Sequence, residues 1–228
     1  MPIGIVSYRG HETAFSPNYD VSKADAQVLT FQDGSTGNPT DTTATAGTTA
    51  LVADLSQPGG KLLIDSVAST AAQGENVQWK TFAVSANADK RVEFYCNFTP
   101  LEQAGELFIG LAVVDPSLIA SSALSNKCIG FTIAGDDDDV LDYITMDGTD
   151  PSADAEKTAG SALVMSQTYE VGMVITTASV EFYLDGALVA THRTKITTDA
   201  MCPTIVCQSR GSSASSMLVN EMITRKAK

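Results

Sequence analysis

Hydrophobic and polar residues alternate most regularly over residues 179–193, SVEFYLDGALVATHR. Val180, Phe182 and Leu184 fall on one face, with Ser179, Glu181 and Tyr183 on the other. Past Asp185-Gly186, Leu188 and Ala190 share one face, and Val189 and Thr191 the other. Period-2 alternation around an Asp-Gly pair predicts a hairpin with a two-residue turn, because a type I′ turn needs positive φ at both central residues.

Similar short runs recur along the chain. Strands are expected at 28–31, 51–53, 61–67, 77–84, 90–99, 127–134, 140–146, 169–176, 204–207 and 217–224. The run ELFIGLAVV at 106–114 is almost continuously apolar, which fits a strand covered on both faces. Residues 33–49, DGSTGNPTDTTATAGTT, offer little to bury and read as an exposed loop. A second polar loop is expected at 147–160, and single helical turns at 100–104 and 117–124. About a dozen strands at roughly 8–12-residue spacing make an all-β sandwich or barrel. RVEFYCNF and SVEFYLDG echo one another, but two short matches do not make a repeat array.

Composition narrows the partners. At 228 residues with 43% hydrophobic residues the chain can bury a large core. Against 14 Lys+Arg stand 27 Asp+Glu, a net charge of −13. Such a surface repels a phosphate backbone, which argues against a nucleic-acid partner. No apolar run reaches the roughly 20 residues of a membrane span, and MPIGIVSYRG lacks the pattern of a signal peptide. Synthesis in a cytoplasm is therefore expected. Cys96, Cys128, Cys202 and Cys207 are too scattered for a disulfide scaffold or a zinc site, and read as buried thiols.

Candidate chemistry is sparse. The run Asp136–Asp139 has hard oxygen donors that suit Ca²⁺, but an EF-hand glycine and glutamate are missing at the required offsets. It reads first as a hairpin tip kept in water by its charge. There are two histidines, His11 and His192, and no G-x-S-x-G, P-loop or dinucleotide fingerprint. Glu93 and Glu181 alternate with apolar residues and are expected to face solvent.

The stretch V-E-F-Y-L-D-G followed by A-L-V-A-T resembles a late hairpin of the concanavalin A-like lectin/glucanase jelly rolls. RVEFYCNFTP, GELFIGLAVVDP and KCIGFTIAGDDDDVLDYIT resemble middle strands of the same family, and MLVNEMITRK its last strand. The resemblance spans roughly residues 60–226 and implies a concanavalin A-like jelly-roll β-sandwich. Glucanases of this fold carry E-x-D-x-x-E or E-x-D-x-E on one strand, and neither motif is present. Retaining hydrolysis needs two carboxyl groups about 5 Å apart. The chain is also similar to jelly-roll capsid decoration (cement) proteins of tailed bacteriophages.

These readings give residues 1–27 as an N-terminal arm and 28–228 as one jelly-roll domain. The function expected is that of a non-enzymatic virion structural protein on the capsid surface, without cofactor, catalytic residue or metal. Its expected partners are a major capsid protein, a second copy of itself and glycans. Contacts to a partner are assigned to Pro2, Ile3, Ile5, Val6 and Tyr8, an apolar segment suited to adding to a sheet edge. Two alternatives stand beside this reading: a carbohydrate-binding lectin-like module, and a glycoside hydrolase of the same fold.

Overall fold

A computed structural model describes residues 24–30, 41–45, 51–54, 61–66, 74–102, 105–134, 140–210 and 215–227, the first three segments by their backbone. Seventeen strands carry the described chain: β1 (Ala24–Thr30), β2 (Asp41–Thr45), β3 (Leu51–Asp54), β4 (Lys61–Asp65), β5 (Gly74–Gln78), β6 (Arg91–Pro100), β7 (Gly105–Ala112), β8 (Ile119–Ala120), β9 (Ala123–Leu124), β10 (Cys128–Ile133), β11 (Val140–Met146), β12 (Ala155–Ala162), β13 (Tyr169–Ile175), β14 (Val180–Leu184), β15 (Ala187–His192), β16 (Cys202–Ser209) and β17 (Ser216–Ala227).

Fifteen of them form two antiparallel sheets, and β8 and β9 pair with each other. Sheet I runs β15-β14-β13-β6-β17-β4-β3, with β1 also paired to β17. Sheet II runs β12-β11-β10-β7-β16-β5-β2. The hairpin expected over residues 179–193 is present: Leu184 pairs with Ala187, and Asp185 and Gly186 have φ of 48° and 80°. Alternation then buries one face of each strand between the sheets. Sheet I contributes Val92, Phe94, Cys96 and Phe98 from β6 and Val171, Met173 and Ile175 from β13. Sheet II answers with Leu107, Ile109 and Leu111 from β7 and Ile129, Phe131 and Ile133 from β10. Phe131 meets Phe182 edge-on across the gap, with ring centroids 5.6 Å apart.

Several expectations change. β2 lies within the expected loop 33–49 and pairs with β5. The polar stretch before Gly160 becomes β12, an edge strand on β11. Its sequence AEKTAGSA is largely exposed, so burial leaves no alternation to read. Residues 117–124 hold the small hairpin β8–β9, not a helical turn. A bulge opposite Phe182/Tyr183 puts Ala190 across from Phe182 and Leu188 across from Tyr183. Leu188 and Ala190 therefore face opposite ways, contrary to simple alternation. All four cysteines are buried and free. The arm residues Pro2, Ile3, Ile5, Val6 and Tyr8, and Asp136–Asp139, lie outside the described residues, as does His11.

Candidate functional site: a roofed cleft on the outer face of sheet II

β7 is buried along its whole length, which a half-covered sheet does not explain. Its outer cover is the chain's own segment 113–127. Gln78 on β5 pins the start of that segment: its Nε2 donates to Val113 O (3.1 Å), and its Oε1 accepts from Asp115 N (3.0 Å). Asn76 Nδ2 donates to Asp115 O. The Asp115 carboxylate accepts from Ser117 N (2.8 Å) and Asn126 Nδ2 (3.0 Å), drawing the two ends of the flap together. Leu118, Ile119 and Leu124 then pack on Phe108, Cys128, Ile144, Met146 and Val206, a second core outside the main one.

The floor is built for this cover. Gly110 and Gly130 face each other across β7 and β10. A Cβ at Gly130 would stand 2.6 Å from Ile109 O and 2.8 Å from Phe108 Cζ. The missing side chain is the space that the Phe108 ring occupies. At the flap tip Ser121 and Ser122 both hold positive φ, 51° and 61°. Neither is glycine, so the tip is conformationally strained.

Beside this tip lies a cavity of about 200 Å³. Ser122, Ala123 and Leu124 form its flap side. Thr132 and Ala134 at the end of β10 and Ile144 on β11 form its floor. Pro151, Ser152 and Lys157 close it from the β11–β12 hairpin. A second cavity, near Cys207 and Ser215, holds only about 10 Å³, roughly the room one water needs.

Two buried carboxylates share the outer face of sheet II. Asp142 on β11, paired with Thr132, accepts from Gly160 N at 3.3 Å and forms an ion pair with Lys157 Nζ at 2.7 Å. Glu106 on β7 accepts from Gln208 Nε2 at 2.5 Å and stands 3.9 Å from Arg210 Nε. Between them β10 presents Cys128, Gly130 and Thr132. The cleft thus has an apolar floor, hydroxyls at its rim, and one ammonium held by a neighbouring carboxylate.

The acids singled out in the sequence lie elsewhere. Glu93 and Glu181 are on the outer face of sheet I, level with one another on either side of Val174. Two strand spacings put their backbones about 10 Å apart, too far for a retaining pair without convergence of the side chains. Glu93 does not face solvent: it is 1% exposed and paired with Arg91 at 2.8 Å. Burial raises its pKa, and Arg91 and Arg225 pull it back. Glu181 accepts from Tyr183 Oη at 2.8 Å; burial and that contact push the phenol up to about 12. His192 is buried between Thr145 and Thr158, away from both faces. Among the described residues no three metal-ligating side chains cluster.

No protein-family model matches the chain, and no curated protein matches it. Solved structures do. The catalytic domain of an endo-1,3-β-glucanase (laminarinase) from Thermotoga petrophila matches with a TM-score of 0.59 at 12% identity, over 90% of this chain and 99% of the other. Peanut lectin matches with a TM-score of 0.59 at 10% identity, over 89% and 98%. Crh5 transglycosylase matches with a TM-score of 0.57 at 13% identity, over 90% and 85%.

The fold is that of the concanavalin A-like lectins and glucanases.

At these identities the likeness is one of fold. It nevertheless overturns the expectation of a non-enzymatic protein, because laminarinase, glycosidic hydrolase and transglycosylase structures share this architecture. The absence of E-x-D-x-x-E had carried that expectation.

Proposed function

We propose that the chain is a carbohydrate-active protein that seats a saccharide residue in the cleft on the outer face of sheet II. The observation that carries this reading is the cavity itself. Ala134, Leu124 and Ile144 offer an apolar surface to the C–H face of a pyranose. Ser122, Ser152 and Lys157 offer hydrogen-bonding groups to its hydroxyls. A few polar groups converging over an apolar base is the usual build of a small-molecule site. Lys157 is neutralised by Asp142, which favours an uncharged sugar over an anionic one. The net charge of −13 acts in the same direction. Asp142, paired with the lining Lys157, is tied to this wall, whereas Glu106 lies two strand spacings away across β10, so the cleft is read as a binding site.

The shared fold with laminarinase and peanut lectin supports this choice over the virion-shell role, for which the fold comparison offers no support. β-1,3-Glucan oligosaccharides are the first ligands to test. Titration calorimetry and a reducing-end assay on the same samples separate binding from cleavage. Binding that is lost in Lys157→Ala supports the reading. Absence of binding across a panel of neutral and acidic glycans contradicts it.

A further inference from the structure

We propose that the sandwich edge beside the cleft is a proton-operated latch: His192, held between Thr145 and Thr158, fastens β12 to the edge of sheet I at neutral pH, and acidification frees β12 and loosens the cleft wall. What the cleft holds rests on the saccharide reading; the latch does not.

The two edges meet at β15 of sheet I and β12 of sheet II. β12 links latch and cleft through its period of two. Glu156 and Thr158 point towards β15, while Lys157 between them points to the cleft. Register fixes the neighbours: Tyr143 pairs with Thr158, Ile144 with Lys157 and Thr145 with Glu156. Movement of Thr158 away from β15 therefore moves Lys157 and disturbs Ile144, both of which line the cleft.

The latch has defined bonding. His192 Nδ1 is 3.1 Å from Thr145 Oγ1, and Nε2 is 2.9 Å from Thr158 Oγ1. Thr145 Oγ1 donates its hydrogen to Thr194 O at 3.0 Å. It must then accept from Nδ1–H, which leaves Nε2 as the acceptor for the Thr158 hydroxyl. This neutral tautomer satisfies both ring nitrogens. Phe182 lies against the ring at 4.8 Å between centroids and closes off water.

A second proton would place a charge in this pocket. β12 brings Glu156, whose carboxylate favours the cation, but Glu156 is already occupied by Arg193 N, Thr194 N and the Thr194 hydroxyl. β11 brings Thr145 and the neutral Tyr143 phenol, and β14 brings Phe182. β15 itself continues to Arg193, and the following Lys195 is paired with Asp147 and Asp154. Desolvation outweighs Glu156, so the closed latch lowers the imidazole pKa below 6.5. With the closed-state pKa depressed, closure is fully favoured above about 6.5. It weakens as pH falls from there towards the closed-state value, because only the open state takes up the proton.

Amide hydrogen exchange of β12 in the full chain tests this. After correction for intrinsic rates, opening of Ala155–Ala162 should rise, by up to about tenfold, between pH 7.5 and 5.5, one pH unit below the ordinary histidine value. His192→Gln, neutral at both pH values, should show no such rise. An unchanged wild-type opening, or a rise that persists in His192→Gln, overturns the latch. If that variant does not fold, NMR titration of the wild-type imidazole decides. An imidazole that titrates near 6.5 while β12 stays protected also overturns it. β-1,3-Glucan oligosaccharide affinity should fall over the same range. Opening of β12 as expected, with no oligosaccharide bound at any pH, retains the latch and removes the saccharide reading.

Discussion

Lys157 Nζ lies 2.7 Å from Asp142 Oδ2, joining two adjacent strands on the wall of the cleft. Asp142 is buried at 4% side-chain exposure, whereas Lys157 remains 39% exposed. Removing the lysine leaves a buried carboxylate whose remaining hydrogen-bond donor among the described residues is the Gly160 N–H. Breaking a fully buried pair costs about 3–5 kcal/mol. Solvent around Lys157 reduces this, and Lys157→Ala should lose about 1–2 kcal/mol. Urea denaturation of wild type and variant measures the difference. A loss below about 0.5 kcal/mol, the size of an ordinary surface substitution, would mean the pair is not structural.

Gly130 makes the second prediction. An alanine there would place Cβ under 3 Å from Ile109 O and the Phe108 ring. The backbone oxygen cannot swing aside, so strand β10 must shift. Gly130→Ala should cost about 1–3 kcal/mol by overpacking, and Gly130→Val more. Thermal melts check the order wild type, alanine, valine. A melting temperature unchanged by Gly130→Val would show that β7 does not crowd β10 at this position.

Asp115 is expected to govern the flap and not the main core. Asp115→Ala removes acceptors from Ser117 N and Asn126 Nδ2. The flap should detach locally, exposing Leu118, Ile119 and Leu124, while the contacts between the two sheets persist. Hydrogen exchange should therefore speed up over residues 115–126 with little change in β6 or β13. Equal loss of protection in all three would contradict a separate second core.

The two halves of this picture differ in how readable they were. The hairpin of β14 and β15 announced itself because Val180 and Phe182 are buried while Glu181 and Tyr183 are not, and because Asp185-Gly186 suits the turn. β12 was silent because an edge strand of mostly exposed residues has no apolar period. β8 and β9 are two residues each, too short for any period. The cleft was illegible for a different reason. Glu106 is buried through Gln208, 102 positions later, and Asp115 is held by Gln78, 37 positions earlier. Such partners are set by strand order, which local sequence does not display. Glu93 misled in the same way: alternation placed it on an outer face, but Arg91 and its neighbours bury it.

Glu156 on β12, beside His192, gives a second pH prediction at lower pH. Partial burial pushes its pKa up, but hydrogen bonds from the Thr194 hydroxyl, Thr194 N and Arg193 N, together with His192, hold it below 4.5. A carboxyl depressed in the folded state contributes stability above its unfolded value, and that contribution disappears as pH falls below 4.5 through the folded value. Glu156→Gln should lose stability at pH 7, and its stability should fall less steeply than wild type below pH 4.5. Parallel pH-stability curves for the two proteins would contradict this role.

The central claim is that the outer face of sheet II holds a saccharide. Backbone NMR shift mapping during titration with β-1,3-glucan oligosaccharides tests it directly. The amides of Ser122, Thr132, Ile144 and Lys157 should shift together and saturably, and Lys157→Ala should abolish the effect. Saturable shifts confined to Tyr95, Gly172 and Tyr183 on sheet I, or no shifts with any neutral glycan, would contradict the account.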